Sequence, residues 1–118
     1  MNIIVVPKKR SNNPNTIYVG RLTMLGNPFS HLNLKYTIKC ETAEEAIQRY
    51  KEWLAIRILT SSAVRDALNQ IINVGRKHGT VHLACGCRDE TKQPLPSDHI
   101  CHADVIRNTI MTHLAESE

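Results

Sequence analysis

Val81-His82-Leu83-Ala84-Cys85-Gly86-Cys87 and, after thirteen intervening residues, Cys101-His102-Ala103-Asp104 form the stretch around which the chain is organised. The apolar run at residues 81–84 predicts a short buried strand. It ends in a Cys-Gly-Cys turn. Cys101-His102 opens an apolar-periodic segment, which predicts a helix. Three of the four cysteines and three of the six histidines fall in this stretch. Soft, nucleophilic and titratable groups therefore gather at a strand end and a helix start, where open α/β sheets bind their ligands.

Working outward, the preceding segment predicts a helix over about residues 63–77, with Val64, Leu68, Ile71 and Ile72 inward. Thr60-Ser61-Ser62 supplies its cap, and Gly75 and Gly79 bracket its exit. Before it, Thr42-Ala43-Glu44-Glu45 is a capping box, in which the Thr42 hydroxyl caps the Glu45 amide and Glu45 reaches back. Ile47, Tyr50, Leu54 and Ile58 follow at helical spacing, and Glu45 and Arg49 form an i,i+4 pair. Trp53 borders the apolar face; Tyr50 and Trp53 read as core. On the other side, residues 88–96 are a charged loop with two prolines. A last helix is expected over about residues 102–115, with Ile106, Ile110 and Leu114 on one face.

The N-terminal third is basic. Residues 1–40 carry Lys8, Lys9, Arg10, Arg21, Lys35 and Lys39 and no acid, while the whole chain has a net charge of +4. Such a bias suits a phosphate-bearing partner and equally serves as a solvated face. Residues 3–6 and 16–19 are β-branched and apolar, so two strands are expected, joined as an N-terminal hairpin through the Asn-rich residues 8–15. Leu25-Gly26-Asn27-Pro28-Phe29 cannot be helix interior, because Pro28 pushes Asn27 out of the α region. It reads as a rigid turn presenting the Asn27 amide with Phe29 as anchor. That turn is either a plain packed connection or a loop whose Asn27, with Arg21, binds a ligand. Residues 34–40 are weakly extended, and Cys40 reads as a small buried residue.

With 118 residues, 42% hydrophobic and 22% charged, the chain is expected to be one globular domain spanning residues 1–118. No apolar run is long enough for a membrane span. The N-terminus lacks the marks of a secretory signal, so the expected location is cytoplasmic with reduced thiols.

Three readings of the cysteine and histidine site stay open. In the first, Cys85, Cys87, Cys101 and His102 hold zinc, a donor set that zinc accepts although Cys-x-Cys is not one of its strong signatures; His99 is a spare ligand. In the second, Cys101 is a reactive thiol or part of an anion pocket at a helix start, with His102 as acid, base or donor and Asp104 orienting it or capping the turn. In the third, small soft residues simply pack between strand and helix.

Tyr18-Val19-Gly20-Arg21, Leu25-Gly26-Asn27-Pro28-Phe29, Glu45-Ala46-Ile47 with Tyr50 and Trp53-Leu54, Leu83-Ala84-Cys85-Gly86-Cys87 and Cys101-His102-Ala103-Asp104-Val105 resemble a domain family of bacteria and phages catalogued as domain of unknown function 4326. The resemblance covers about residues 16–114. Gly86 stands where the family usually has Trp, Ala103 where it usually has Gly, and the loop between Cys87 and Cys101 is longer than usual. The strand-Cys, loop, Cys-His-helix arrangement is also similar to that of another α/β family. The resemblance implies an α/β fold and a phage origin, and it supplies no activity.

The expected architecture is a small α/β domain, a short sheet with an N-terminal hairpin packed by about three helices. The expected function is binding, and processing, of a nucleotide or nucleic-acid component, with Arg21, Asn27 and Cys85 as ligand-binding residues and Cys101, His102 and Asp104 as the catalytic group. The alternative is a non-enzymatic phage-type interaction protein, with a host or phage protein as partner and zinc as a staple.

Overall fold

The computed structural model describes residues 1–7, 14–20, 23–30, 37–85 and 101–117. The strand expected at residues 81–84 forms as β5 (Thr80–Cys85) and sits in the middle of the sheet. β1 (Asn2–Pro7) runs parallel to it on one side, with Ile3 opposite Val81 and Pro7 opposite Cys85. β2 (Thr16–Tyr18) runs parallel to it on the other side, with Thr16 opposite His82 and Tyr18 opposite Ala84. All three strands therefore point their carboxyl ends the same way.

This order corrects the expected N-terminal hairpin. β1 and β2 are not neighbours, because β5 lies between them. The reason is burial. Val81, Leu83, Ala84 and Cys85 are all fully buried, so β5 needs cover on both faces and on both edges. β1 and β2 each leave a large side chain in water, Ile4 and Tyr18, which suits edge strands. The sequence of residues 8–15 also contains no Asn-Gly or Asp-Gly pair of the kind that pins two strands as a hairpin.

The weakly extended segment contributes a second, two-stranded parallel sheet. β3 (Phe29–Ser30) pairs with β4 (Ile38–Lys39), closed by Ile38 N–H to Pro28 O at 2.7 Å and Cys40 N–H to Ser30 O at 2.7 Å. Cys40 is buried, as expected.

The helices follow the sequence closely. α1 (Ala43–Thr60) starts at the Thr42 cap, whose Oγ1 accepts the Glu45 N–H at 3.0 Å. Glu45 reaches back to the Glu41 N–H, one residue earlier than the capping box implies, and its other oxygen pairs with Arg49 at 3.1 Å. α2 (Ser62–His78) is capped by Ser61, whose Oγ accepts the Val64 N–H at 3.3 Å. It ends at Gly79, which holds a left-handed φ of 79°. α3 (His102–Ser117) buries Val105, Ile106 and Ile110. The core joins Tyr50 and Leu54 of α1, Val64, Leu68, Ile71 and Ile72 of α2, and Ile106 and Ile110 of α3 to Ile3, Val81 and Leu83 of the sheet. Arg107 of α3 donates to Ile3 O at 2.9 Å, fastening the helix to edge strand β1. Among the described residues, no helix is long and apolar enough to cross a membrane.

Candidate functional site

β5 ends at Cys85 and α3 begins beside it, so the last residue of the central strand meets the cap of the last helix. The Sγ atoms of Cys85 and Cys101 lie 3.4 Å apart, and both residues are buried. Cys101 occupies the cap position before α3. Its N–H donates to Asp104 Oδ2 at 3.0 Å, and its carbonyl accepts the N–H of Asp104 at 3.0 Å and of Val105 at 3.4 Å. This is the returning half of a capping box, with Asp at the third helical position and Cys where Ser or Thr usually stands. Of the two roles expected for Asp104, the geometry displays the capping one. Its carboxylate also complements the positive end of the helix dipole.

His102 is buried as the first residue of α3. Its Nε2 lies 2.6 Å from the Val19 carbonyl oxygen, just beyond the end of β2. A carbonyl can only accept, so Nε2 carries the proton, and Nδ1 is the ring's lone-pair nitrogen in the neutral form. The Val19 N–H in turn donates to Ala84 O of β5 at 2.9 Å. The start of α3, the end of β2 and the end of β5 are thus joined at one point.

Tyr50 extends this junction to the Asn27 turn. Its ring meets His102 edge-on, with centroids 5.5 Å apart and planes at 81°. On its other side it stacks with Trp53 at 5.5 Å, and the Arg57 guanidinium lies 5.8 Å from the Trp53 ring centre. The Tyr50 hydroxyl donates to Leu25 O at 2.6 Å. Burial drives the phenol pKa far above its ordinary value, and the neighbouring Cys101 adds to the shift through its charge. Asn27 is buried, and its Oδ1 accepts the Phe29 N–H at 2.9 Å, so its side chain closes the turn that the sequence predicted.

Cys85, Cys101, His102 and Asp104 are therefore brought together, with Asn27 reached through Tyr50 and Leu25. Arg21, Cys87 and His99 lie outside the described residues. Among the described residues, no three His, Cys, Asp or Glu side chains converge as a metal-holding group. Sequence reasoning missed Val19 and the linking role of Tyr50. A buried tyrosine must find a partner for its hydroxyl, which is the signal that Tyr50 carried. A main-chain acceptor such as Val19 O has no sequence signal.

A separate cavity of about 660 Å³ opens between the three helices, with Leu68, Ile72, Val105 and Ile110 in its lining and Lys51 and His113 among its polar residues. Cys85, Cys101 and His102 do not border it.

Fold and site define an α/β domain in which the Cys85–Cys101 sulfur pair and the start of α3 meet at the carboxyl edge of a three-stranded parallel sheet. The chain belongs to the family described as domain of unknown function (DUF4326), whose model matches residues 6–112. No curated protein and no solved structure matches it.

Proposed function

We propose that the carboxyl edge of the sheet binds a nucleotide or nucleic-acid component, with the helix start at Cys101 and His102 clamping it; acting on it would require these two buried side chains to be uncovered. One observation carries this reading: three parallel strand ends and one helix start share that edge, the arrangement at which α/β sheets take ligands. The basic residues follow from the same edge in sequence. Lys8-Lys9-Arg10 come directly after Pro7, the last residue of β1, and Arg21 comes three residues after Tyr18, the last residue of β2. Cationic side chains near helix-start amides favour a phosphate group. The capping carboxylate of Asp104 works against phosphate directly on the Cys101 amide, so the phosphate is assigned to the strand ends, which Lys8, Lys9, Arg10 and Arg21 follow in sequence.

A thermal-shift series with nucleoside monophosphates, nucleosides and inorganic phosphate tests the reading. A ligand at a hundredfold excess over its Kd stabilises the fold by about 2.7 kcal/mol. The expected result is a rise in Tm with a nucleotide, reduced in Arg21→Ala. No shift with any nucleotide at millimolar concentration overturns it.

The 3.4 Å sulfur pair favours a second reading, a zinc-stapled interaction protein with a host or phage partner. Two thiolates on one zinc at about 2.3 Å stand about 3.8 Å apart, close to the spacing seen. With Nε2 on Val19 O, His102 does not converge with the two sulfurs as a third donor, so the remaining ligands would have to come from outside the described residues. Cys87 would supply the third sulfur. Here the expected result is about one zinc per chain and unfolding by chelator. Metal-free protein that stays folded would reject it.

A further inference from the structure

We infer that Cys85 and Cys101 form a dithiol that hydrogen peroxide converts to a reversible intramolecular disulfide, linking the end of β5 to the start of α3. The two sulfurs are 3.4 Å apart although their residues are sixteen positions apart in sequence. A disulfide needs about 2.05 Å, so the sulfurs must close by only about 1.4 Å. Cys101 sits before the first turn of α3 rather than inside a helix, so a small rotation of the cap suffices.

Burial selects the oxidant. Cys85 is 0% exposed and Cys101 1%, which shuts out bulky disulfides and leaves a water-sized peroxide as the co-reactant. One sulfur, as thiolate, attacks a peroxide oxygen; the O–O bond breaks and hydroxide leaves, taking up the released proton as water. The sulfenic acid so formed faces the second thiol at contact distance. That thiol attacks the oxidised sulfur, the S–S bond forms, and the second oxygen leaves as water. Two thiols and one peroxide thus give one disulfide and two waters, the two sulfurs losing the two electrons that the peroxide gains. The resolving thiol is already in place, so disulfide formation outruns further oxidation of the sulfenic acid. Cross-linking two distant parts of the chain also restricts the unfolded state, so the oxidised form is the more stable one. The step needs no nucleotide at the sheet edge, and zinc held by the two sulfurs would block it.

The test uses the full chain, reduced, freed of reductant and titrated with hydrogen peroxide. Free thiols are then alkylated in denaturant, and the protein is digested without reduction and sequenced by fragment-ion mass spectrometry, which separates Cys85 from Cys87. The expected result is a Cys85–Cys101 linked peptide lacking two hydrogens, reversed by dithiothreitol, with Cys40 still alkylated and a raised Tm. Linkage through Cys87 or Cys40 instead overturns the inference. So do sulfinic acid on either sulfur in place of the link, and two thiols that stay reduced under excess peroxide, whether through burial or through a bound metal.

Discussion

His102 Nε2 stands 2.6 Å from the carbonyl oxygen of Val19, across 83 positions of sequence. This one contact closes the junction of β2 and α3, and the Val19 N–H carries it on to Ala84 of β5. His102→Phe keeps an aromatic ring beside Tyr50 and removes the donor. A buried carbonyl left unpaired costs about 1–3 kcal/mol. The unfolding free energy in urea is expected to fall by that amount, read as a lower midpoint at unchanged slope. An unchanged midpoint would show that the contact contributes nothing to stability.

Tyr50→Phe removes the hydroxyl from Leu25 O and leaves the ring packing in place. A loss of about 1–3 kcal/mol is expected by the same reasoning. The pH dependence follows from the raised phenol pKa. The folded protein holds the phenol neutral where the unfolded chain, with an ordinary value of 10.0, already ionises. Stability from this group is complete below pH 10 and is lost as the pH climbs toward the folded value. Melting curves are expected to show Tm falling above pH 10, less steeply in Tyr50→Phe. Equal slopes would remove Tyr50 as the cause.

Asp104→Ala takes away the acceptor of the Cys101 N–H and the negative charge in the first turn of α3. The loss of such a capping contact costs about 0.5–2 kcal/mol. Chemical denaturation is expected to show a loss in that range, with faster amide exchange at the start of α3. Unaltered exchange there would mean that the helix start is held by other contacts.

Asn27→Ala opens the turn that its Oδ1 closes on the Phe29 N–H. A destabilisation of about 1 kcal/mol is expected. Hydrogen exchange should quicken at Phe29 and leave α2 unchanged. If Phe29 keeps its protection, the turn is fixed by Pro28 and backbone contacts alone.

The sequence disclosed what short-range chemistry controls. Thr42 and Ser61 marked two helix starts because a hydroxyl reaches an amide three residues on, and Gly79 marked an exit because it tolerates a positive φ. Cys85 and Cys101-His102 read as one site because a strand end and a helix start are visible in apolar periodicity. Strand order was not visible. Residues 3–6, 16–19 and 81–84 have similar β-branched or apolar composition, and only packing on both faces puts β5 in the middle. Nor were the partners of His102 and Tyr50, since both are main-chain carbonyls, which every residue carries.

An amide-resolved NMR titration of the full chain with a nucleoside monophosphate tests the proposed site most directly. The expected result is saturable shifts at Val19, Gly20, Cys85, Cys101 and His102, weakened in Arg21→Ala. No saturable shift, or shifts confined to the helical cavity around Leu68, Val105 and His113, would contradict a nucleotide site at the carboxyl edge of the sheet.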